Sequence, residues 1–291
     1  LRPRVKDVQS LRDCLKTNKY YTLTILRSYV LSLSHHTSLV SLASMCRILA
    51  ISLSHFLTLS QSPNFVPLTI TTLTDRIAER LADYQAKGLS MFVSSSFQSH
   101  SLPLLHIISR FHPEIPVYFL NTGFHFPETM AFRHEIADQF GLHVIDAVSP
   151  VSKAGQRDDQ GKFFFVTDTD HCCYLNKVLP MEPVIETHDV WINGVRRDQT
   201  KFRSTLQEEE NMGGGKLRYH PMLDWTSKLI WDYRKEFNLP EHPLEAQGYL
   251  SIGCMPCTRS FAETQDARAG RWSGQQKEEC GIQTEFVKAK V

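Results

Sequence analysis

The cysteines have the most specific spacing in this 291-residue chain. Of its seven cysteines, Cys172 and Cys173 are adjacent, and Cys254 and Cys257 form a CxxC. Thiolates bind zinc ions and iron–sulfur clusters, and a CxxC turn brings two sulfurs to one metal centre. A CxxC alone fits a zinc site and a redox site equally well. Because the side chains of an adjacent pair diverge, two irons of one cluster accept them more readily than one zinc ion does. The combination therefore predicts a four-iron cluster with these four ligands.

Cys280 stands apart from that set. It lies in the Lys/Glu-rich run KEECGIQTEF, residues 277–286, with no second cysteine close in sequence. The thiolate is the nucleophilic form of cysteine, and nearby Lys or Arg side chains lower the thiol pKa. Cys280 is therefore a candidate for covalent chemistry.

The overall composition excludes several classes of protein. The formal net charge is +1 and the sequence pI is about 7.8, so no global field attracts nucleic acid or anionic lipid. We predict neither a nucleic-acid partner nor a membrane association. An odd and small number of cysteines argues against a secreted disulfide scaffold, which predicts a reducing, cytoplasmic location. Anion binding must then come from local clusters of residues.

The N-terminal quarter differs in composition from the rest. The segment from Thr22 to Pro67 is rich in Ser, Leu and Thr and contains no Asp or Glu. Its polar residues interrupt any run long enough to span a membrane. Arg, Ser and a lack of acidic residues also fit an organellar presequence. We predict that residues 1–70 are a poorly ordered extension or not part of the native protein, and that residues 71–291 form the folded domain.

The remaining sequence alternates between strand and helix patterns. TDRIAERLADYQAKG has the apolar spacing of a helix, and the next segment, LSMFVSSSFQSHSLPLLHIISRF, reads as strand, loop and helix. The segment beginning IPVYFLNTG repeats this order with a helix that ends at Gly141, and HDVWINGVRRDQT adds a strand that runs into a basic turn. This order predicts an α/β fold with a doubly wound, mostly parallel sheet and a ligand site at the carboxyl ends of its strands.

The sequence also predicts one flexible loop and the locations of the four tryptophans. Residues 208–216, EEENMGGGK, are predicted to be a flexible loop without chemistry. Three tryptophans in apolar patterns are predicted to be core residues, and the fourth, within AGRW, is placed near the site. In chain order these four are Trp191, Trp225, Trp231 and Trp272.

Small polar and basic residues follow the predicted strands. Free backbone N–H groups and the helix dipole favour a phosphate or sulfate at a Ser-rich helix start, although such a loop alone fits a capped helix equally well. An Arg pair beside an anion loop offers the planar donors that a phosphate prefers. The residues concerned are Ser94, Ser95, Ser96, Ser99, Thr122, Gly123, Arg196 and Arg197. Their coincidence at three strand ends favours a nucleotide-like anion.

These segments together resemble a known family. The motifs are, in order, SSSFQSHSLPLLH, LNTGFHFPET, CCYLNKVLP, INGVRRDQT, GYLSIGCMPCTR, ARAGRW and KEECGIQ. They are similar to those of the assimilatory sulfonucleotide reductases, which reduce adenylyl sulfate or phosphoadenylyl sulfate, over roughly Ala82–Val291. The resemblance implies an adenine nucleotide alpha hydrolase-like fold with a C-terminal cysteine-bearing tail. Related ATP pyrophosphatases carry SGGxDS at the first loop. Here Ser95, Ser96 and Gln98 replace its glycines and aspartate, which makes ATP cleavage less expected.

The resemblance also implies roles for individual residues. The four cysteines at positions 172, 173, 254 and 257 match the ligands of a [4Fe-4S] cluster in the cluster-bearing branch. Lys177 matches a lysine between cluster and substrate. The basic residues that hold the phosphosulfate and nucleotide correspond to Arg196, Arg197, Arg268 and Arg271.

The last motif of the family, ECGLH, matches the segment around Cys280. The resemblance implies that its thiolate attacks the sulfate sulfur, AMP leaves, and a thioredoxin or glutaredoxin dithiol then releases sulfite. Gln283 stands where the family has His, and Gln cannot become cationic near neutral pH. We therefore expect Gln283 to contact the substrate more weakly than His would.

Several alternatives stay open. The paired-cysteine cluster accompanies use of adenylyl sulfate in the family, which makes this nucleotide the favoured substrate and phosphoadenylyl sulfate the alternative. A tRNA thiolation enzyme would share the loop and the cysteines, but the near-zero net charge argues against an RNA-binding face. A non-catalytic zinc module would leave the KEECGIQ motif and the arginine turns unexplained. The sequence also leaves open whether the protein forms a homo-oligomer.

Overall fold

The computed structural model describes residues 69–264, 270–272, 277, 279, 281, 282 and 284. The predicted extension of residues 1–70 lies outside this range apart from its last two residues. No helix within the described part of the chain has the length and apolar composition needed to cross a bilayer.

The first described helix, α1, spans Ile70–Ala86. It begins four residues before the segment predicted from apolar spacing, because Thr69 and Thr72 form a capping box: the Thr72 amide donates to Thr69 Oγ1 at 3.1 Å, and the Thr69 amide donates to Thr72 Oγ1 at 2.8 Å. The helix buries Leu73, Ile77 and Leu81, which recur at intervals of four residues and therefore share one face.

Within the described residues, six strands form one sheet in the order β3-β2-β1-β4-β6-β5. They span Met91–Ser94 (β1), Val117–Leu120 (β2), Val144–Ala147 (β3), Val190–Asn193 (β4), Glu209–Gly213 (β5) and Lys216–Tyr219 (β6). All neighbouring pairs are parallel except β5 with β6 at the edge. The strand order reverses beside β1, whose neighbours β2 and β4 lead to opposite halves of the sheet, and such a switch point opens a crevice at the carboxyl ends.

Helices cover the sheet and connect its strands. The longer ones are α2 (Leu102–Phe111), α3 (Pro127–Phe140) and α7 (Ser227–Glu236). Short helices are α4 (Phe164–Thr167), α5 (Thr169–Cys173), α6 (Glu182–Thr187) and α8 (Phe261–Thr264), and a π-helical turn, Tyr174–Val178, follows α5. Helix α3 ends as predicted at Gly141, which takes the left-handed conformation with φ +63°.

Alternate residues of the central strands are buried on opposite faces of the sheet. Val93 and Ile192 belong to a large apolar cluster with residues of α1, α2, α3 and α7. Phe92 and Trp191 belong to a second cluster, which includes Val184 of α6. A sheet that is apolar on both faces is typical of parallel α/β proteins. The predicted α/β class with a mostly parallel, doubly wound sheet is confirmed.

Two local predictions are wrong. The loop predicted for residues 208–216 contains edge strand β5, and Gly213, Gly214 and Gly215 make its turn to β6 with φ values of +87°, +58° and +79°. The glycines allow this hairpin because they adopt positive φ without strain. Trp231 is 54% exposed rather than in the core, since α7 turns Ile230 and Tyr233 inward instead.

Buried His242 should make the fold sensitive to acid. Its ring is fully buried, Nδ1 accepts from the Leu244 amide at 3.2 Å, and Nε2 lies 3.1 Å from Thr129 Oγ1. Burial lowers the pKa of His242 from 6.5 to about 4. The unfolded chain therefore takes up this proton first, so the stabilisation is complete above pH 6.5 and is lost as the pH falls towards 4.

We expect the free energy of unfolding to fall by about 2 kcal/mol more between pH 7 and pH 5 than in His242→Asn, which keeps an acceptor for the Leu244 amide. Urea unfolding of both proteins at the two pH values measures this difference. Equal pH dependence in the two proteins would show that His242 does not cause it.

Candidate active site

A cavity of about 670 Å³ lies at the switch point of the sheet. Its walls come from the carboxyl ends of three strands and the loops that follow them: Ser94, Ser95 and Ser96 at the end of β1, Thr122 after β2, and the segment Asn193–Arg196 at the end of β4. The segment of residues 250–254 and the side chains of Arg271 and Trp272 close another side. The predicted position at the carboxyl ends of the strands is therefore where the structure has its cavity.

The loop after β1 is held in a specific conformation. Phe97 is fully buried with a positive φ of +54°, and its amide donates to Ser95 Oγ at 3.1 Å. A non-glycine residue in this region is strained and persists only where its surroundings fix it. Gln98 helps to fix this loop, because its Oε1 accepts from the Ile252 amide at 2.9 Å. This bond joins the loop to the segment of residues 250–254.

Arg196 and Arg271 present hydrogen-bond donors at the cavity. Arg196 is 4% exposed; its Nε donates to Asp198 at 3.0 Å and its Nη2 to Ser227 at 2.9 Å. Arg271 Nη1 donates to the Ile252 carbonyl at 3.1 Å. Arg196 Nη1 and Arg271 Nε have no hydrogen-bond partner within the described part of the chain. Buried donors without a partner are costly, so both groups suit an anionic ligand.

Gly253 allows Arg271 to lie against the cavity wall. A Cβ atom at this position would lie only 2.8 Å from Arg271 Nε, closer than real side chains approach. The absence of a side chain at residue 253 therefore leaves the room that the guanidinium fills.

The four clustered cysteines line a smaller pocket beside the cavity. Cys172 and Cys173 end helix α5, while the Cys254 turn is fixed to the loop after β2: the Met255 amide donates to the Phe124 carbonyl at 2.7 Å, and Thr122 Oγ1 lies 3.3 Å from Cys254 Sγ. The two cysteine segments are distant in sequence, and the fold brings them to one pocket.

Burial and the closeness of the thiols to one another shift the pKa values of cysteines in this pocket. Burial, followed by the neighbouring sulfurs of the other three cysteines, raises the pKa of Cys172 to about 12. Burial, followed by Cys254, also raises the pKa of Cys257. Asn176 Nδ2 lies 3.7 Å from Cys172 Sγ, and Lys177 Nζ lies 3.9 Å from Cys173 Sγ. These donors face the sulfurs and would stabilise negative charge on them.

Four cysteine thiols are the metal-ligating groups that line this pocket. Four thiols without a carboxylate or imidazole are the ligands typical of iron–sulfur clusters and of structural zinc. Within the described residues, no group of three or more His, Cys, Asp or Glu side chains is close enough to hold a metal ion. The chemistry of the four sulfurs fits a [4Fe-4S] cluster, in which each thiolate takes a different iron.

The thiol pocket and the larger cavity share a wall. Thr122, Lys177 and Cys254 line both. Lys177, whose Nζ lies 3.9 Å from Cys173 Sγ, therefore belongs to both sites. The two sites predicted separately from the sequence form one continuous region of the structure.

Comparison with known proteins identifies the family. The family model described as "Phosphoadenosine phosphosulfate reductase domain" matches residues 90–260. An adenosine 5'-phosphosulfate reductase of Chelativorans sp. is 39% identical over 188 residues, which are 65% of this chain and 76% of the relative. A phosphoadenosine 5'-phosphosulfate reductase of Gloeobacter violaceus is 34% identical over 199 residues, covering 67% and 83% of the two chains. This chain belongs to the phosphoadenosine phosphosulfate reductase family.

The fold of this chain is also similar to that of a solved structure. The phosphoadenylyl-sulfate reductase of Candida auris, in a phosphate complex, superposes with a TM-score of 0.52 and 22% sequence identity. The match covers 67% of this chain and 98% of that one. At this identity the likeness concerns the fold.

Only some of the predicted substrate-binding residues line the cavity. The predicted residues that line the cavity are Ser94, Ser95, Ser96, Thr122, Lys177, Arg196 and Arg271, and Trp272 joins them. Arg197 does not line it: its guanidinium donates to Asp224 at 2.6 Å and to the Ser204 carbonyl at 3.2 Å.

The other predicted residues fall into two groups. Ser99 is buried and does not line the cavity, and its hydroxyl accepts from the His242 amide at 2.8 Å. Gly123 makes a turn with φ +69° beside Lys153. Arg268, Cys280 and Gln283 lie outside the described residues. Their assignments stay predictions.

Sequence reasoning missed several residues of the cavity wall. Asn193 and Arg203 line it, as do Gln98 and His100. Arg203 belongs to the same basic segment, RRDQTKFR, that carries Arg196, and this run could have indicated it. No pattern in the sequence distinguishes Asn193 or His100 from residues that are merely buried.

Proposed function

We propose that this member of the reductase family reduces adenylyl sulfate to sulfite and AMP, with Cys280 as nucleophile and a thioredoxin-type dithiol as reductant. Family membership and the reductase names of the relatives support sulfonucleotide reduction in sulfate assimilation. The observation that carries the proposal is the shared wall of the cavity and the four-thiol pocket, formed by Thr122, Lys177 and Cys254.

The proposed reaction has two steps. The Cys280 thiolate attacks the sulfur of adenylyl sulfate, forming a sulfur–sulfur bond while the sulfur–oxygen bond to the phosphate breaks, and AMP departs with that oxygen. A dithiol thiolate then attacks Cys280 Sγ and releases sulfite, and its second thiol resolves the mixed disulfide. The dithiol supplies both electrons and is oxidised to a disulfide, and Cys280 returns to the thiol state.

The described residues provide the anion-binding part of this chemistry. Arg196 Nη1 and Arg271 Nε are two of the buried donors without a partner in the described part of the chain, and both residues line the cavity. Ser95 and Ser96 line the same space. We assign the two guanidiniums to the phosphosulfate, since planar donors hold oxyanions in a fixed orientation.

The four cysteines at positions 172, 173, 254 and 257 would hold a [4Fe-4S] cluster. Bound there, the cluster would supply an electrostatic or structural contribution, because the thiols account for both electrons. Lys177 lies at the shared wall, where it faces both Cys173 and the cavity. Its ammonium would orient the sulfate end of the nucleotide.

The choice between the two nucleotides is also part of the proposal. Relatives named for adenosine 5'-phosphosulfate and one named for the 3'-phosphorylated nucleotide both match this chain at more than 30% identity. We expect kcat/KM for adenylyl sulfate to exceed that for phosphoadenylyl sulfate by at least about tenfold, a difference of about 1.4 kcal/mol in transition-state binding. Initial rates of sulfite release with thioredoxin measure it. A preference for phosphoadenylyl sulfate would contradict the assignment.

Metal analysis tests the cluster independently of activity. The protein purified without oxygen should contain about four irons and four sulfides per chain and absorb in the visible range. Replacing Cys257 by Ser should lower the iron content. Colourless protein with one zinc per chain would contradict the cluster and favour a zinc module.

A further inference from the structure

Glu279, the residue before Cys280, makes a buried ion pair with the wall of the cavity. Its Oε1 accepts from Arg203 Nε at 2.8 Å and its Oε2 from Arg203 Nη2 at 2.8 Å. Thr200 Oγ1 donates to the same Oε1 at 2.5 Å. The side chains of Arg203 and Glu279 are 11% and 5% exposed. Parallel donors of this kind fix both the distance and the orientation of a carboxylate.

Two further contacts hold the chain on either side of this pair. Ile282 is buried with Phe92 and Trp191 in the cluster on one face of the sheet, and it lines the cavity. On the other side, the Lys277 ammonium bonds to Asp170 and lies 5.7 Å from the Trp272 ring. Residues three before, one before and two after position 280 are thus each in contact with the folded domain.

The negative charge of Glu279 lies close to the positive charges of Arg203 and Arg218. Arg203 lines the cavity, but its guanidinium is already bound by Glu279 and by Gln199 Oε1. Arg218, which is 1% exposed, lies close enough for Glu279 to favour its charged form. A buried cation without its partner is strongly unfavourable. Removing the carboxylate therefore weakens the attachment of this segment to the domain.

We propose that Glu279 is a positioning residue: by binding Arg203 and Thr200 it holds the segment that carries the Cys280 thiol against the cavity. Cys280 follows Glu279 directly in the chain, and successive Cα atoms are ~3.8 Å apart, so a change at the Glu279 anchor acts on the neighbouring residue. The inference rests on the proposed function, in which Cys280 attacks the bound nucleotide. Arg203 then serves the segment rather than the substrate, unlike Arg196 and Arg271.

The test compares Glu279→Gln with a matched control, Glu245→Gln. Glu245 also pairs with a buried arginine, Arg234, at 3.7 Å, but it does not line the cavity. Each protein, with its metal centre intact, is mixed with adenylyl sulfate without reductant, and mass spectrometry follows sulfonate on the peptide of residues 278–288. The affinity for AMP and the melting temperature are measured in parallel.

We expect Glu279→Gln to slow sulfonation of Cys280 at least about tenfold, since small misplacement of a reacting group has large kinetic effects. Affinity for AMP should stay within about threefold of the parent, because the guanidiniums that face the cavity are untouched. Glu245→Gln should sulfonate at the parent rate. Thr200→Val, which removes one donor to Glu279, should slow the reaction in the same direction by a smaller factor.

Two results would overturn the positioning role: an unchanged sulfonation rate in Glu279→Gln, or a loss of AMP binding as large as the loss of rate. If Glu279→Gln fails to fold, Thr200→Val decides between the same outcomes. Exchange of the two charges, Arg203→Glu with Glu279→Arg, should recover part of the rate. Failure of the proposed function looks different, because the parent protein itself would then not sulfonate Cys280.

Discussion

Replacing Cys280 by Ser should abolish sulfite formation while leaving nucleotide binding intact. A hydroxyl is a far weaker nucleophile than a thiolate near neutral pH, and without a sulfur nucleophile no S-sulfonate can form. We expect kcat to fall at least about 10⁴-fold, the scale seen when a covalent nucleophile is removed. Sulfite release with thioredoxin and adenylyl sulfate measures the loss, and AMP binding by calorimetry measures the part that should remain.

The matched control for this variant is Cys14→Ser, because Cys14 lies in the N-terminal segment that the family match does not include. It should keep the activity of the parent. Turnover retained in Cys280→Ser would exclude this thiol as the nucleophile. Loss of AMP binding in the same variant would instead indicate that the substitution disturbs the cavity.

Arg196 and Arg197 should differ sharply although they are adjacent in sequence. Arg196 lines the cavity and keeps one donor, Nη1, without a described partner. Arg197 is half-exposed and bonds to Asp224 and to backbone carbonyls away from the cavity. A hydrogen bond between a charged donor and an anion contributes about 1.5–3 kcal/mol. We therefore expect Arg196→Ala to weaken binding of adenylyl sulfate by about 10- to 200-fold.

Arg197→Ala should change the same affinity by less than about threefold, because an exposed ion pair contributes little. Equilibrium binding to the two variants, with circular dichroism to verify folding, makes the comparison. Equal losses in both would show that the loop after β4 rearranges when the nucleotide binds. A larger loss in Arg197→Ala would contradict the assignment of Arg196 to the phosphosulfate.

The sequence predicts the central sheet well and its edge poorly. Strands β1, β2 and β4 are continuous apolar runs that end in small polar residues, so their type and the position of the site follow from pattern alone. Strand β5 reads as a charged loop because its residues, Glu209, Glu210 and Asn211, pair at an exposed edge. Charged edge strands lack the apolar alternation on which the prediction depends.

For the candidate site, the types of the residues could be predicted from the sequence, but the directions of their side chains could not. The cysteine spacing indicated one four-thiol pocket, and the fold brings the two segments together. The pair Arg196 and Arg197 shows the limit: their side chains diverge because one backbone turn sends neighbouring residues to opposite sides. Likewise, the sequence does not indicate that Glu279 of the ECG motif pairs with Arg203, because the two residues are far apart in the chain.

We expect Cys280 to take the sulfonate group from a nucleotide bound in the cavity. The most direct test is to mix the anaerobically purified protein with one equivalent of adenylyl sulfate in the absence of reductant and to determine the mass of the peptide of residues 278–288. We expect one added sulfonate on Cys280, one AMP released per chain, and loss of the added mass together with sulfite release when thioredoxin is supplied. An unmodified peptide after AMP release, or sulfonate on another cysteine, would contradict it.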